Sequence, residues 1–323
     1  MEFSHTPVLL NEVIDGLNIR PSGIYLDLTL GGGGHSFHIL EKLKDGLLVG
    51  FDKDKDAISA SSKRLSQISK VFTRDDFSRT DEKSVLIIKS DFKKAPEILK
   101  ELGITEIDGI LIDLGVSSYQ LDCAERGFSF KKDAPLDMRM DQSQTFTAQD
   151  IIDNYSQEQL INLFRVYGEE EYAVSIAKNI VHQREISPIT TTSQLNEIIE
   201  NSMPKKVVFS RNGASKKVFQ ALRIEVNCEL DGLKELIQEL IGFLRPQGRF
   251  CIISFHSLED RIVKNVFKEF STNCICPPNF PKCVCGHKAS LKLITHKPII
   301  ASEEEQQKNS RSTCAKLRIA EKI

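Results

Sequence analysis

Ile24-Tyr-Leu-Asp27-Leu-Thr-Leu30-Gly31-Gly-Gly-Gly34-His35 is the stretch that decides the fold. Its apolar first half predicts a buried strand. The glycine run lets the backbone bend sharply, with positive φ at no Cβ penalty. A helical pattern then runs from His35 to Leu43. The same unit repeats downstream. Leu47–Phe51 reads as a second strand ending at Asp52, and a polar helical pattern covers Asp54–Ile68. Val85–Ile88 is a third strand, and Ile107–Ile112 a fourth that ends at Asp113. Short apolar strands alternating with helices predict an α/β fold, with a buried parallel sheet and right-handed crossovers.

The alternation stops near Leu121, and up to Lys216 only helical spacing and loops are legible, as in Ile151/Ile152, Leu160/Ile161/Phe164 and Tyr172/Ile176/Ile180. A long helix is expected over Val218–Leu244, followed by the Arg245–Gly248 turn, a fifth strand at Phe250–Phe255 and a helix over Leu258–Phe270. Leu291–Thr295 and Lys316–Ala320 suit a closing antiparallel pair, and the polar segment Glu303–Ser312 suits a loop. The 323 residues therefore divide into a Rossmann-like sheet domain, residues 1–120 and 217–323, and an inserted all-helical substrate-recognition domain, residues 121–216. No run approaches the roughly 20 apolar residues that span a bilayer. Met1–Val13 carries Glu2 and Glu12 and lacks the basic start and apolar core of a signal peptide. The chain is expected to be cytoplasmic, with no membrane partner.

The glycine bend is where the fold would admit a ligand. A dinucleotide fingerprint wants a further glycine three residues after Gly33, and Ser36 stands there. The loop therefore suits a ligand without a pyrophosphate. Asp52 lies 18 residues after Gly34, where an acid accepts hydrogen bonds from ribose hydroxyls. Asp113 closes the strand beside the sheet's switch point. Either acid could also be an ordinary helix cap. Together with the glycines they favour an adenosine-bearing sulfonium donor over a nicotinamide, and so a methyltransferase over a dehydrogenase.

Net charge is −2, which by itself points to no nucleic acid, yet Pro204–Arg223 holds Lys205, Lys206, Arg211, Lys216, Lys217 and Arg223 without one acid. That run reads as a grip for RNA phosphates or as a solvated face, with Arg223 open to an ion pair. Four of the eight cysteines are scattered. Cys274, Cys276, Cys283 and Cys285 form a C-x-C-x6-C-x-C pattern, with His287 just beyond. It is either a structural zinc site or a reduced, proline-bound loop.

Longer blocks then make the chain recognisable. His5–Leu9, Gly31–His35, Asp113-Leu-Gly-Val-Ser-Ser118, Glu125–Phe130, Pro135–Asp141, Tyr167–Glu170, Phe219–Asn227 and Ser254–Arg261 stand in the same order as in the bacterial 16S ribosomal RNA cytosine-N4 methyltransferase family (RsmH or MraW), which the chain resembles over nearly its whole length. The resemblance implies S-adenosylmethionine as donor and a cytosine in the decoding region of small-subunit RNA as acceptor, within the small ribosomal subunit. Family cofactor positions fall on Gly33, Gly34, His35, Asp52, Phe92, Asp113 and Gln120. Asp113 and Ser117 are the candidates for the reacting centre. Arg139 and His256, with Asp137 and Asp260, are candidates for the RNA-binding rim, and His256 reads equally as a core histidine. The paired C-x-C segment belongs to only some members, so the resemblance gives it no part in the chemistry. Other methyl acceptors, or a non-catalytic RNA-binding assembly factor, are the alternatives. The intact glycine bend and Asp52 weigh against the latter.

Overall fold

The computed structural model describes residues 7–78, 82–204, 213–274, 276–277, 280 and 282–323, apart from the Ser118 side chain. The chain forms two compact units, Met1–Gly115 with Gly232–Ile323, and Val116–Asp231.

The first unit is built on eight strands: β1 Ile24–Asp27, β2 Leu47–Asp52, β3 Lys70–Phe72, β4 Ser84–Lys89, β5 Ile107–Asp113, β6 Leu244–Ser254, β7 Leu291–Leu293 and β8 Lys316–Lys322. Their order is β3-β4-β2-β1-β5-β6-β8-β7. From β3 to β6 neighbours are parallel, while β8 runs antiparallel to both β6 and β7. Strand side chains alternate between two apolar layers, as the two-residue period of a strand requires. Leu26, Val49, Leu86, Ile110, Ile112, Phe250 and Ile252 face one layer. Tyr25, Leu48, Val85, Leu111, Cys251 and Ile253 face the other. Helix α4 (Ala95–Glu101) supplies Ile98 and Leu99 to the first layer, joined by Leu236 and Leu240 of Leu233–Phe243 and by Val263 and Phe267 of Ser257–Phe270. Helices α1 (Leu10–Leu17), α2 (Gly34–Lys42) and α3 (Lys55–Leu65) cover the second with Val13, Leu17, Ile39, Leu40 and Leu65. A sheet with both faces covered explains why its strands are continuously apolar. Burial at this depth contributes roughly 1.5–3 kcal/mol for each large side chain.

The second unit is helical, with α5 Ser118–Asp122, α6 Ala148–Asn154, α7 Gln157–Val166, α8 Ala173–Ile186, α9 Thr192–Asn201 and α10 Ala214–Asn227. Its described residues contain no strand, only the isolated bridge Pro135–Thr191. Capping boxes start four of the helices, with Ser117 and Gln120, Thr147 and Asp150, Ser156 and Gln159, and Thr191 and Gln194 satisfying each other's backbone amides. Ile151, Leu160, Phe164, Ile176, Ile180, Leu195, Val218 and Leu222 form its core. Asn227 ties α10 to the Pro135–Asp141 block: its Oδ1 accepts from Met140 N (2.8 Å) and its Nδ2 donates to Met138 O (2.8 Å).

The α/β fold and the closing β7–β8 pair are as expected, and five details differ. Arg245–Gly248, expected as a turn, lies within β6 (Leu244–Ser254). The helix expected over Val218–Leu244 is two, α10 and α11 (Leu233–Phe243), because Cys228 (φ 49°) and Gly232 (φ 69°) adopt left-handed backbone at the break. Helix α10 packs in the helical unit, so the units divide after Gly115 and Asp231 rather than after 120 and 216. β3 is an extra edge strand. Glu303–Ser312 contains a short helix, α13 (Glu303–Lys308), capped by Ser302 and followed by a 3-10 turn. Among the described residues no helix is long and apolar enough to cross a membrane.

Candidate functional site

Acids cap the C-terminal tips of three neighbouring parallel strands: Asp52 on β2, Asp27 on β1 and Asp113 on β5. Asp52 Oδ2 accepts from Gly31 N (2.7 Å) and its Oδ1 from Asp54 N (2.8 Å). Asp27 accepts from Ser36 Oγ (2.7 Å) and Thr29 N (3.1 Å). Burial pushes both carboxyls up to about 6, against the pull of those hydrogen bonds. Asp113 is held differently. Its backbone N–H donates to Thr29 Oγ1 (2.6 Å), but its buried Oδ1 has no hydrogen-bond partner. Burial, then the charges of Asp27 and Glu259, raise its carboxyl well above the usual carboxylate range.

His35, at the start of α2, donates from Nε2 to Val8 O (3.0 Å). That fixes the neutral tautomer and leaves Nδ1 as an acceptor, 3.8 Å from Asp113 Oδ2. Burial lowers its pKa to about 4. The glycine bend owes its composition to conformation and crowding. Gly33 has φ 72°, and a Cβ on Gly34 would lie 2.5 Å from Pro7 Cγ.

Gly33, Gly34, His35, Asp52 and Asp113 thus gather at one end of the sheet. Phe92 follows β4 in a 3-10 turn and packs, half-buried, against the core layer of α4. Ser117 and Gln120 lie in the other unit, where they form the capping box of α5: Gln120 N donates to Ser117 Oγ (3.2 Å) and Ser117 N to Gln120 Oε1 (3.0 Å). The Ser117 hydroxyl oxygen accepts the Gln120 amide as that cap. Arg139 is likewise engaged within its own turn, bidentate on Asp137 (2.9 and 2.7 Å) and donating to Gln144 O (2.7 Å). His256 is buried as the N-cap of α12 (Ser257–Phe270), with Nε2 3.1 Å from Glu259 Oε1. Asp260 is paired with Arg318 (2.6 Å). In the basic run, Arg223 is bidentate on Glu229 (2.8 and 2.9 Å) and Lys217 donates to Glu169 O (2.8 Å). Lys205, Lys206 and Arg211 lie outside the described residues. Asp27 is the site residue that the sequence reading passed over. Its signal was present, since it ends β1 as Asp52 and Asp113 end theirs.

A doubly wound sheet with a reversed strand slotted in beside its last position is the framework of the Rossmann-like methyltransferases, and the fold places the chain in that class. The chain belongs to the MraW methylase family, which it matches over residues 2–323. It is 50% identical to the ribosomal RNA small subunit methyltransferase H of Lachnospira eligens, over 100% of this chain and 99% of that one. The protein of the same name from Clostridioides difficile is 48% identical, with 100% of both covered. Among solved structures, an rRNA methylase from Streptococcus thermophilus is similar at a TM-score of 0.40 and 11% identity, covering 99% of each chain.

Proposed function

We propose that the protein transfers a methyl group from S-adenosylmethionine to the N4 amine of a cytosine in the decoding region of 16S ribosomal RNA, in the bacterial cytoplasm. End-to-end identity near 50% with small-subunit RNA methyltransferases carries the choice of substrate. The three strand-tip acids support the choice of donor. Among the described residues no Lys or Arg pairs with these buried carboxyls, which favours a positively charged ligand, and the partnerless Asp113 Oδ1 is an acceptor waiting for one.

When bound, the donor supplies an electrophilic methyl on a cationic sulfur. The protein's part is chiefly alignment, which can supply 7 kcal/mol or more by order of magnitude. Asp52 is assigned to the ribose hydroxyls, Phe92 offers an aromatic face for adenine, and the Gly31–Gly34 bend lets backbone approach the ligand. Asp113 orients the charged end. In its ionised form it also accepts from the N4–H and takes the proton that the methylated amine releases. His35, neutral and locked, holds the wall beside it. The cytosine leaves its stack to enter. Lys205, Lys206 and Arg211 are assigned to RNA phosphates, so replacing all three with alanine should flatten the salt dependence of RNA binding.

Labelled donor offered with naked 16S RNA, 30S particles and 70S ribosomes tests the whole reading, followed by mapping of the modified base. N4-methylcytosine at one decoding-region position is the expected product. Label in protein, in another base, or nowhere refutes it.

A further inference from the structure

The geometry points to a zinc ion held by Cys274, Cys276, Cys283 and Cys285 in the connection between α12 and β7, and we propose this as a structural metal site. Their four sulfurs converge, all lying within 4.8 Å of one another. Cys283 Sγ and Cys285 Sγ are 3.5 Å apart, and Cys285 Sγ and Cys274 Sγ 3.9 Å. Four thiolates around tetrahedral zinc at about 2.3 Å stand about 3.8 Å from each other, so these spacings are those of a ligand shell. No disulfide joins any cysteine of the chain.

The surroundings fit as well. Val284 N donates to Cys276 Sγ (3.4 Å), the kind of N–H···S bond that spreads the charge of a bound thiolate. His287 is not a competing ligand. Its Nε2 donates to Glu269 O (2.9 Å) and its ring meets Phe270 edge-on, fastening the loop to the end of α12. Ala289 N to Asn273 Oδ1 (3.2 Å) and Ser290 N to Phe270 O (2.8 Å) close the loop's base. Between those fastenings the described residues form no helix or strand. Among the described residues Phe280 and Val284 stay exposed and give the loop no apolar core. Binding replaces four S–H bonds with four Zn–S bonds, and the four protons leave to solvent.

The clasp sits away from the strand-tip acids. Helix α12 starts just past the C-terminal tip of β6 and returns along the sheet for 14 residues, about 20 Å. Leu291 then pairs with Lys322, beyond the register pair Arg249–Glu321 at the opposite end of the sheet. The metal therefore braces the edge strand β7 and takes no part in methyl transfer.

Metal analysis of the untagged chain, purified under reducing conditions, should find about one equivalent of zinc. Cobalt exchanged into the site should give the intense bands of tetrahedral thiolate coordination. C276S and C283S should lower zinc below about a tenth of an equivalent, while H287A keeps it. Removing the metal should speed tryptic cleavage at Lys282 and Lys288 and leave S-adenosylmethionine affinity unchanged. Metal-free protein with all four thiols reduced, an iron–sulfur chromophore, or zinc retained by C276S and C283S each overturns the proposal. Should the variants fail to fold, the cobalt titration of the unaltered chain still decides.

Discussion

β5 carries two buried or half-buried acids, five residues apart, and the protein treats them in opposite ways. Asp108 is fully provided for: Ile24 N donates to it (2.9 Å), and Arg20 (3.2 Å) and Arg245 (3.3 Å) reach it from either side. Asp113 has one oxygen with no partner and a neutral histidine for its nearest basic group. One end of the strand is therefore finished as protein, while the other is completed by a ligand. A buried carboxylate left in this state costs folding stability, and a cation that binds there recovers it. This is how a site can prefer a sulfonium donor before making any contact specific to adenosine.

The sharpest way to break the contrast is Asp113→Asn. Single-turnover methylation at saturating donor should slow by roughly 10²–10⁴-fold, while thermal stability holds or rises. An unchanged rate would remove Asp113 from the reaction. Asp108→Ala should do the reverse. It strands the Ile24 amide and unpairs two arginines, so chemical denaturation should show a loss of about 3 kcal/mol, with donor affinity little changed in the folded fraction. Equal effects of both variants on donor binding would erase the distinction. Asp52→Asn should weaken S-adenosylmethionine about 10- to 100-fold by calorimetric titration. Titration with acid tests Asp27 and Asp52 together. Asp27 and Asp52 ionise near 6 in the folded chain and near 4 once unfolded. As pH rises, the unfolded chain sheds these protons first, so the ligand-free protein should lose stability between about pH 4 and 6 and then level off. A bound cation favours the ionised acids, so donor affinity should strengthen from pH 5 to 7. A flat profile would show that the two acids do not sense the donor.

Strand and helix alternation was legible because both faces of the sheet are covered, which makes each inner strand an unbroken apolar run. β3 was not, since three residues on an exposed edge leave no pattern. The break at Cys228–Gly232 was hidden by apolar periodicity that continues on both sides of it. Asp52 and Asp113 could be picked out as strand ends after a glycine bend. The commitments of Ser117, Arg139 and His256 could not, because a cap or an internal ion pair is a matter of geometry and leaves the same letters in the sequence. The convergence of four sulfurs is likewise set by how a loop closes, which spacing alone leaves open.

Cys251 lies fully buried at the centre of β6, close enough to Gly16 that a methyl group there would crowd its sulfur, and burial pushes its thiol far up from the ordinary range. Such a sulfur is inert to alkylating reagents while the sheet is closed. It becomes reactive only when the strands on both sides part. The chain therefore carries its own clock for global opening, and peptide-resolved alkylation at that single position would time the collapse of the whole sheet without any added probe.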